Sequence, residues 1–130
     1  MLVDSLAPVT TTVIKGEAPI GITYIKYIKQ YKGPVDFVPM ERYLTDPNYL
    51  SLSAKSPRAN AAKLYIDFAC SAEGQKEIAE DGEFVLAPGV YPPIKDADKV
   101  APKMVFMENP SEDEFKKLMS GTFRDIFYAK

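Results

Sequence analysis

Histidine is absent from this chain of 130 residues, and cysteine occurs only once, at Cys70. These scarcities exclude a zinc site made of histidine and cysteine ligands, and they exclude Ser-His and Cys-His catalytic pairs within the chain. The position of Cys70 at the end of an apolar helical face predicts a buried, unreactive thiol, with no second cysteine for an internal disulfide. An enzyme would need carboxylates, tyrosine or lysine as acid and base, and no carboxylate pair stands out at a strand end. We therefore expect no enzymatic activity and no cofactor.

Charge of one sign is also scarce, because 16 basic and 18 acidic residues give a net charge of −2. Without a basic excess the chain would release few counterions from a nucleic acid, and we expect no nucleic-acid partner. No apolar run approaches the roughly 20 residues that a membrane-spanning helix needs. The start, MLVDSL, lacks the basic and apolar regions of a signal peptide. That does not exclude export, since a fragment from within a precursor would lack them too.

Helical periodicity is clearest between residues 56 and 82. It predicts an amphipathic helix with an inward stripe of Ala61, Leu64, Tyr65, Phe68 and Ala69. Ser71 is the expected N-cap of a second helix, which Gly82 ends. Ser111 opens a capping box and predicts a further helix that buries Phe115, Leu118 and Met119. An acidic group after the second helix is predicted to be a solvated helix end and consists of Glu80, Asp81 and Glu83.

Several short segments carry strand signals, which together with the helices predict an α/β fold. The strand candidates are residues 20–24, 35–39, 48–54, 83–86 and 105–107. Residues 24–32 have tyrosines and isoleucines at helical spacing and predict an amphipathic helix. Residues 7–15 are rich in β-branched side chains, which favours a strand there.

Four motifs follow one another along the chain. They are GEAPIGI (residues 16–22), SPRANAAKLYIDFACSAEGQ (56–75), VYPPIKD (90–96) and, after Phe115, FRDIF (123–127). In this order they resemble bacterial extracellular solute-binding proteins, which capture ligands for ABC importers. The second motif is similar to that family's signature helix and the EGQ helix after it. For residues 7–15 the resemblance favours a short helix, so strand and helix both stay open.

The resemblance implies the C-terminal portion of a two-lobed, type 2 periplasmic-binding fold. Residues 1–32 would end lobe two, residues 33–39 would cross the hinge, and residues 40–130 would form the C-terminal part of lobe one. It also implies a periplasmic or extracellular protein that meets the membrane through its importer. The implied partners are an ABC permease and the missing N-terminal part of the same protein. Self-association is a further expectation, because apolar strand faces without that part would be exposed.

In this family the ligand lies between the lobes, and the resemblance implies Thr23, Tyr24, Lys26 and Tyr27 as ligand-binding residues. Ferric-ion-binding members have a Tyr-Tyr pair that would fall here at positions 26 and 27. Lys26 replaces the first tyrosine, which counts against direct ferric binding and suits a small anion or an iron chelate. If the helix begins near Tyr24, its first free amides could also hold an anionic oxygen. The alternative is that Tyr27 and Tyr31 only pack in a core.

The expected function is therefore the solute-binding component of an ABC importer for iron(III), an iron chelate or a small anion, with no metal ligands assigned. A free-standing interaction domain without a transport role is an alternative, and so is a histidine-independent enzyme. Because a cleft needs both of its walls, the chain alone is expected to bind ligand weakly or not at all.

Overall fold

The computed structural model describes residues 5–128, in which short helices are combined with a pair of β-strands. The elements in chain order are α1 (Leu6–Ile14), α2 (Tyr27–Tyr31), β1 (Tyr43–Thr45), α3 (Ala59–Cys70), α4 (Ala72–Glu80), α5 (Ala97–Val100), β2 (Met104–Phe106), α6 (Glu112–Ser120) and α7 (Thr122–Tyr128). A 3-10 turn, Ala101–Lys103, joins α5 to β2. Within residues 5–128, none of the helices has the length and hydropathy needed to span a bilayer.

The two strands pair in parallel, with Tyr43 opposite Met104 and Thr45 opposite Phe106. Met107 continues the ladder by donating its N–H to the carbonyl of Thr45 over 2.9 Å. Parallel strands need a long crossover connection, and here α3, α4 and α5 lie within it. This mixture of helices and a parallel strand pair is compatible with the predicted α/β class.

The helix alternative is correct for the β-branched segment near the start of the chain, which forms α1. Threonine is tolerated there because its hydroxyl can bond a carbonyl one turn back, as Thr11 does to Ala7 over 3.3 Å. The predicted helix of residues 24–32 also exists, but it is shortened to α2. Lys32 ends it in a left-handed conformation with a φ of 49°.

The corner between α3 and α4 confirms the predicted pair of helices. The Ser71 hydroxyl accepts the N–H of Gly74 at 3.1 Å, as expected of an N-cap. The side-chain amide of Gln75 donates to the carbonyl of Ala69 over 2.8 Å and ties the two helices together. At the other end, α4 stops before Gly82, whose φ of +102° favours glycine.

The predicted capping box at the start of α6 is also confirmed. The Ser111 hydroxyl accepts the N–H of Glu114, and the Glu114 carboxylate accepts the N–H of Ser111 at 2.9 Å. These bonds to Ser111 hold the pKa of Glu114 below its usual value, because they favour the ionised carboxylate.

Of the five predicted strands only the last is confirmed, as β2. The prediction was wrong for residues 20–24, 35–39, 48–54 and 83–86, which are not strands. An alternating segment becomes a strand only when a neighbouring strand takes its backbone hydrogen bonds, and none does so here. Within residues 20–24, Ile22 is 92% exposed.

The interior of the described chain is small. Its buried apolar residues are Tyr43, Ala69, Ala79, Ile94, Ala97 and Val100. Most of them belong to the crossover between the strands, so the small core is built mainly from α3, α4, α5 and the segment that joins α4 to α5. The prediction of a buried, unreactive Cys70 was wrong as regards burial, because the thiol is exposed at the end of α3.

Two predicted inward faces are uncovered. On α3, only Ala69 of the expected stripe is buried, while Leu64, Tyr65 and Phe68 are exposed. On α6, the expected buried residues Phe115, Leu118 and Met119 are exposed as well. The helical pattern was right in both cases, but no other element among residues 5–128 covers these faces.

The accessible surface reflects these uncovered faces. It is 10595 Å² for a chain of 14.5 kDa, whereas a compact monomer of that mass exposes about 6,900 Å². The chain therefore exposes about 3,700 Å² more surface than a compact monomer of its mass. This difference is larger than the area that one partner buries in an ordinary protein–protein interface, about 800 Å².

Replacing Gly74 with alanine is expected to destabilise the protein by about 1–3 kcal/mol through overpacking. A Cβ at this position would lie 2.0 Å from the backbone oxygen of Phe68, and that oxygen belongs to α3. The measurement is the free energy of unfolding in urea. The control is Glu73→Ala, one residue earlier on the exposed side of α4, which should change stability little. Helix propensity alone would make the Gly74→Ala variant more stable than the wild type. That result would contradict the close approach of Gly74 to the Phe68 backbone.

Candidate functional site

Thr23, the first of the four predicted site residues, faces α1. Its hydroxyl donates to the carbonyl of Leu6 over 2.9 Å. The hydroxyls of Thr10 and Thr23 also share a hydrogen bond over 2.9 Å, and the Thr10 hydroxyl lies 3.5 Å from the same Leu6 carbonyl. Thr10 is buried, so this pair fastens the segment before α2 onto the start of α1. The Thr23 proton is therefore not available to a ligand in this arrangement.

The tyrosines of the site form a stack along α2. The Tyr24 and Tyr27 rings meet edge to face with centres 5.8 Å apart, and the Tyr27 and Tyr31 rings do the same at 5.3 Å. Tyr24 is 50% exposed and Tyr31 is 43% exposed, while Tyr27 is half-buried. The stack is therefore a surface feature with one solvent-facing edge.

Lys26 lies beside this stack and carries the charge of the site. Its ammonium is 5.3 Å from the ring centre of Tyr24 and 5.9 Å from that of Tyr27, within the range of cation–π attraction. It also forms an ion pair with Glu83, with 2.5 Å between Nζ and Oε1. The hydrogen bond to Glu83 raises the pKa of Lys26 above its usual 10.5, although partial burial opposes the shift.

The turn after α4 supplies this carboxylate and holds α2 in place. The side-chain amide of Gln30 donates to the Asp81 carboxylate over 2.8 Å. Between Asp81 and Glu83, Gly82 approaches α2 so closely that a Cβ would lie 3.0 Å from the Lys26 carbonyl. Asp81 is exposed, as expected of a solvated helix end, although it also accepts the Gln30 amide. The prediction was wrong for Glu83, which is partly buried against Lys26.

The structure thus brings Tyr24, Lys26 and Tyr27 together and adds Glu83, which the sequence analysis missed. We call these four residues the α2 site. Lys26 and Glu83 are 57 residues apart, so no local pattern in one sequence links them. The only local signal was Gly82, which marked the end of α4 but not the approach to α2.

The expected helix start near Tyr24 was wrong, because α2 begins at Tyr27. The helix has five residues, and the N–H of Tyr27 already bonds the carbonyl of Tyr24 over 3.1 Å. So short a helix has a small macrodipole. The amides before it therefore offer less to an anion than a full helix would.

Two surface concavities of the described chain lie away from these residues. An open groove of about 420 Å³ lies between the end of α1 and the predicted hinge and is lined by Val13, Gly16, Ala18, Pro19, Pro34, Val35 and Asp36. It holds one ionisable group, Asp36, whereas the α2 site combines an ammonium, two phenols and a carboxylate. We therefore retain the α2 site as the candidate. Within residues 5–128, acidic and cysteine side chains do not gather in threes as they would around a metal ion.

Comparisons of the chain with models of protein families, with curated proteins and with solved structures found no match. The family relationship therefore stays a prediction from the four motifs. What the geometry provides is a partly buried lysine that is flanked by tyrosine rings and neutralised by a glutamate.

Removing the negative charge of this pair with Glu83→Gln is expected to lower stability by about 0.5–1 kcal/mol at neutral pH. Because the pKa of Lys26 is raised in the folded protein, the stabilisation is complete below 10.5, the usual lysine pKa. It is lost as pH rises through the higher pKa of the folded state. Urea unfolding of both proteins at neutral and at alkaline pH measures the difference.

The matched control is Glu80→Gln, which removes the same charge from the exposed last residue of α4. It should leave the NMR titration of the Lys26 ammonium unchanged, whereas Glu83→Gln should bring that pKa down. An equal effect of both variants, or a stability difference that persists well above pH 10.5, would contradict the ion pair.

Proposed function

We propose that this chain forms the C-terminal portion of a two-lobed, type 2 periplasmic-binding protein. In this proposal it contributes to capturing iron(III), an iron chelate or a small anion for an ABC importer, outside the cytoplasmic membrane. Its partners would be the permease and the N-terminal part of the same protein. Residues 5–32 would belong to lobe two, residues 33–39 to the hinge and residues 40–128 to lobe one.

The observation that carries the proposal is the unfinished sheet. Parallel strands are almost always buried on both faces, yet Leu44 of β1 is 74% exposed and Phe106 of β2 is 63% exposed. Each strand also has only one neighbour among residues 5–128. A counterpart that supplies further strands and a helix layer would complete such a sheet.

The fit of the motifs to the structure supports the same proposal. Residues 56–75, the most specific motif, span α3 and the start of α4, joined at the Ser71 cap. Residues 16–22 run from the end of α1 into the extended segment before α2. The order of β1, the three helices α3, α4 and α5, and then β2 is compatible with an α/β lobe.

The chemistry of the α2 site favours a ligand with anionic oxygens. Tyr24 and Tyr27 can donate phenolic hydrogen bonds, and Lys26 supplies a positive charge. In the structure that charge is neutralised by Glu83. An anionic ligand would therefore have to displace the Glu83 carboxylate from Lys26, and contacts from the opposite lobe would supply the free energy for this exchange.

A free-standing interaction domain is the second candidate, because the same exposed apolar faces would serve it equally well. The two functions differ in whether a solute is retained. Native mass spectrometry of the full-length gene product, purified from its host, is the deciding measurement. A retained anion or iron species supports solute binding, whereas a product that carries and binds no solute supports the interaction domain.

The chain alone is expected to show no micromolar binding of ferric citrate, phosphate or sulfate in calorimetry, because it supplies only part of the two walls of a cleft. In the full-length product, Tyr24→Phe and Tyr27→Phe should each weaken binding of the retained solute. The expected loss is about tenfold, the value of one hydrogen bond of about 1.4 kcal/mol.

Tyr49→Phe is the matched control, since Tyr49 is exposed and lies outside the α2 site; its affinity should be unchanged. Micromolar binding by the isolated chain would contradict the expectation that a ligand needs a complete cleft. Full affinity in both site variants would contradict the assignment of Tyr24 and Tyr27.

A further inference from the structure

Two apolar surfaces are left open to solvent within residues 5–128. The first is a groove between α3 and α4, and we call it the α3–α4 groove. Its volume is about 250 Å³, and it is lined by Tyr65, Phe68, Ala69, Gly74, Glu77 and Ile78. Most of these residues are apolar, so the groove suits an apolar side chain.

The second surface belongs to α6 and α7, which we call the C-terminal hairpin. Its apolar face includes Phe115, Leu118, Met119 and Ile126, all exposed. The two helices contact chiefly each other. They follow residues 107–111, which have neither helix nor strand structure, so the hairpin is joined to the rest of the chain by an extended segment.

We propose that two copies of this chain form a dimer in which the C-terminal hairpin of each copy packs into the α3–α4 groove of the other. The occupant is a second copy because each copy carries both surfaces. A two-fold axis then satisfies both grooves and both hairpins at once. The proposal concerns helical faces and does not depend on the transport function, which rests on the sheet and the α2 site.

The dimensions of the two surfaces are compatible with this packing. An apolar cavity of roughly 150 Å³ can hold a benzene molecule, so the α3–α4 groove has room for a ring such as that of Phe115. The excess surface of about 3,700 Å² per copy relative to a compact monomer also exceeds what even an obligate dimer needs from one partner, about 1,000–2,500 Å².

Sedimentation equilibrium of the chain at micromolar concentrations is the test. The wild-type chain should be dimeric. Phe68→Glu in the groove and Phe115→Glu on the hairpin should each raise the dissociation constant about 30-fold or more, as expected of a central interface residue. Both side chains are already exposed in the single copy, so these variants should fold, which circular dichroism verifies.

Leu86→Glu is the matched control. Leu86 is 87% exposed, but it lies in the loop after α4 and lines neither surface. This variant should dimerise as the wild type does. A loss of dimer that is equal in all three variants would indicate non-specific apolar association and would overturn the proposal.

Mixing two variants tests whether the C-terminal hairpin of one copy packs into the α3–α4 groove of the other. A copy with Phe68→Lys and a copy with Phe115→Glu should each be monomeric alone. Together they should form a heterodimer, in which one groove–hairpin contact is wild type and the other pairs the introduced lysine with the introduced glutamate. A monomeric wild-type chain, a dimer that neither single variant weakens, or a mixture that stays monomeric would each overturn the proposal.

Discussion

A parallel pair of strands needs cover on both faces, and much of this structure follows from the absence of that cover. Tyr43 is buried on one face of the pair, but Phe106 on that same face is 63% exposed. On the opposite face Leu44 is 74% exposed, so neither face is fully covered. Because parallel sheets are rarely stable with an open face, this pair is best understood as part of a larger sheet. The exposed apolar faces of α3 and α6 follow the same logic, since each is a packing surface without a partner.

The contact between α2 and the turn after α4 is the second organising feature. It joins the beginning of the chain to the crossover through Lys26–Glu83 and Gln30–Asp81, with Gly82 allowing the two backbones to approach. If the proposed lobe boundary is right, this contact crosses the hinge, because α2 precedes residues 33–39 and α4 follows them. An ion pair at that position would stabilise one relative placement of the two parts, and it would do so with the same lysine that is proposed to meet the ligand.

The sequence predicted those features that depend on a few neighbouring residues. The cap at Ser71, the end of α4 at Gly82 and the capping box at Ser111 are local hydrogen-bonding or backbone requirements, and each is confirmed. Most of the strands were mispredicted because a strand requires a neighbour that the segment itself does not specify. For the candidate site, Tyr24, Lys26 and Tyr27 cluster because they are neighbours in the chain and lie in the turn that leads into α2. Glu83 could not be predicted, since no pattern within one sequence connects residues so far apart.

The apolar stripes on α3 and α6 show what periodicity can and cannot predict. A stripe such as Leu64, Tyr65 and Phe68 indicates that a helix packs against something, but it does not identify the partner or require it to lie in the same chain. The expectation of burial was therefore wrong for this chain, while the inference of a packing surface stands. Lys26 follows a parallel rule. Under the proposed function its charge would meet an oxyanion, but Glu83 already neutralises it, so a ligand would have to bind Lys26 more strongly than Glu83 does.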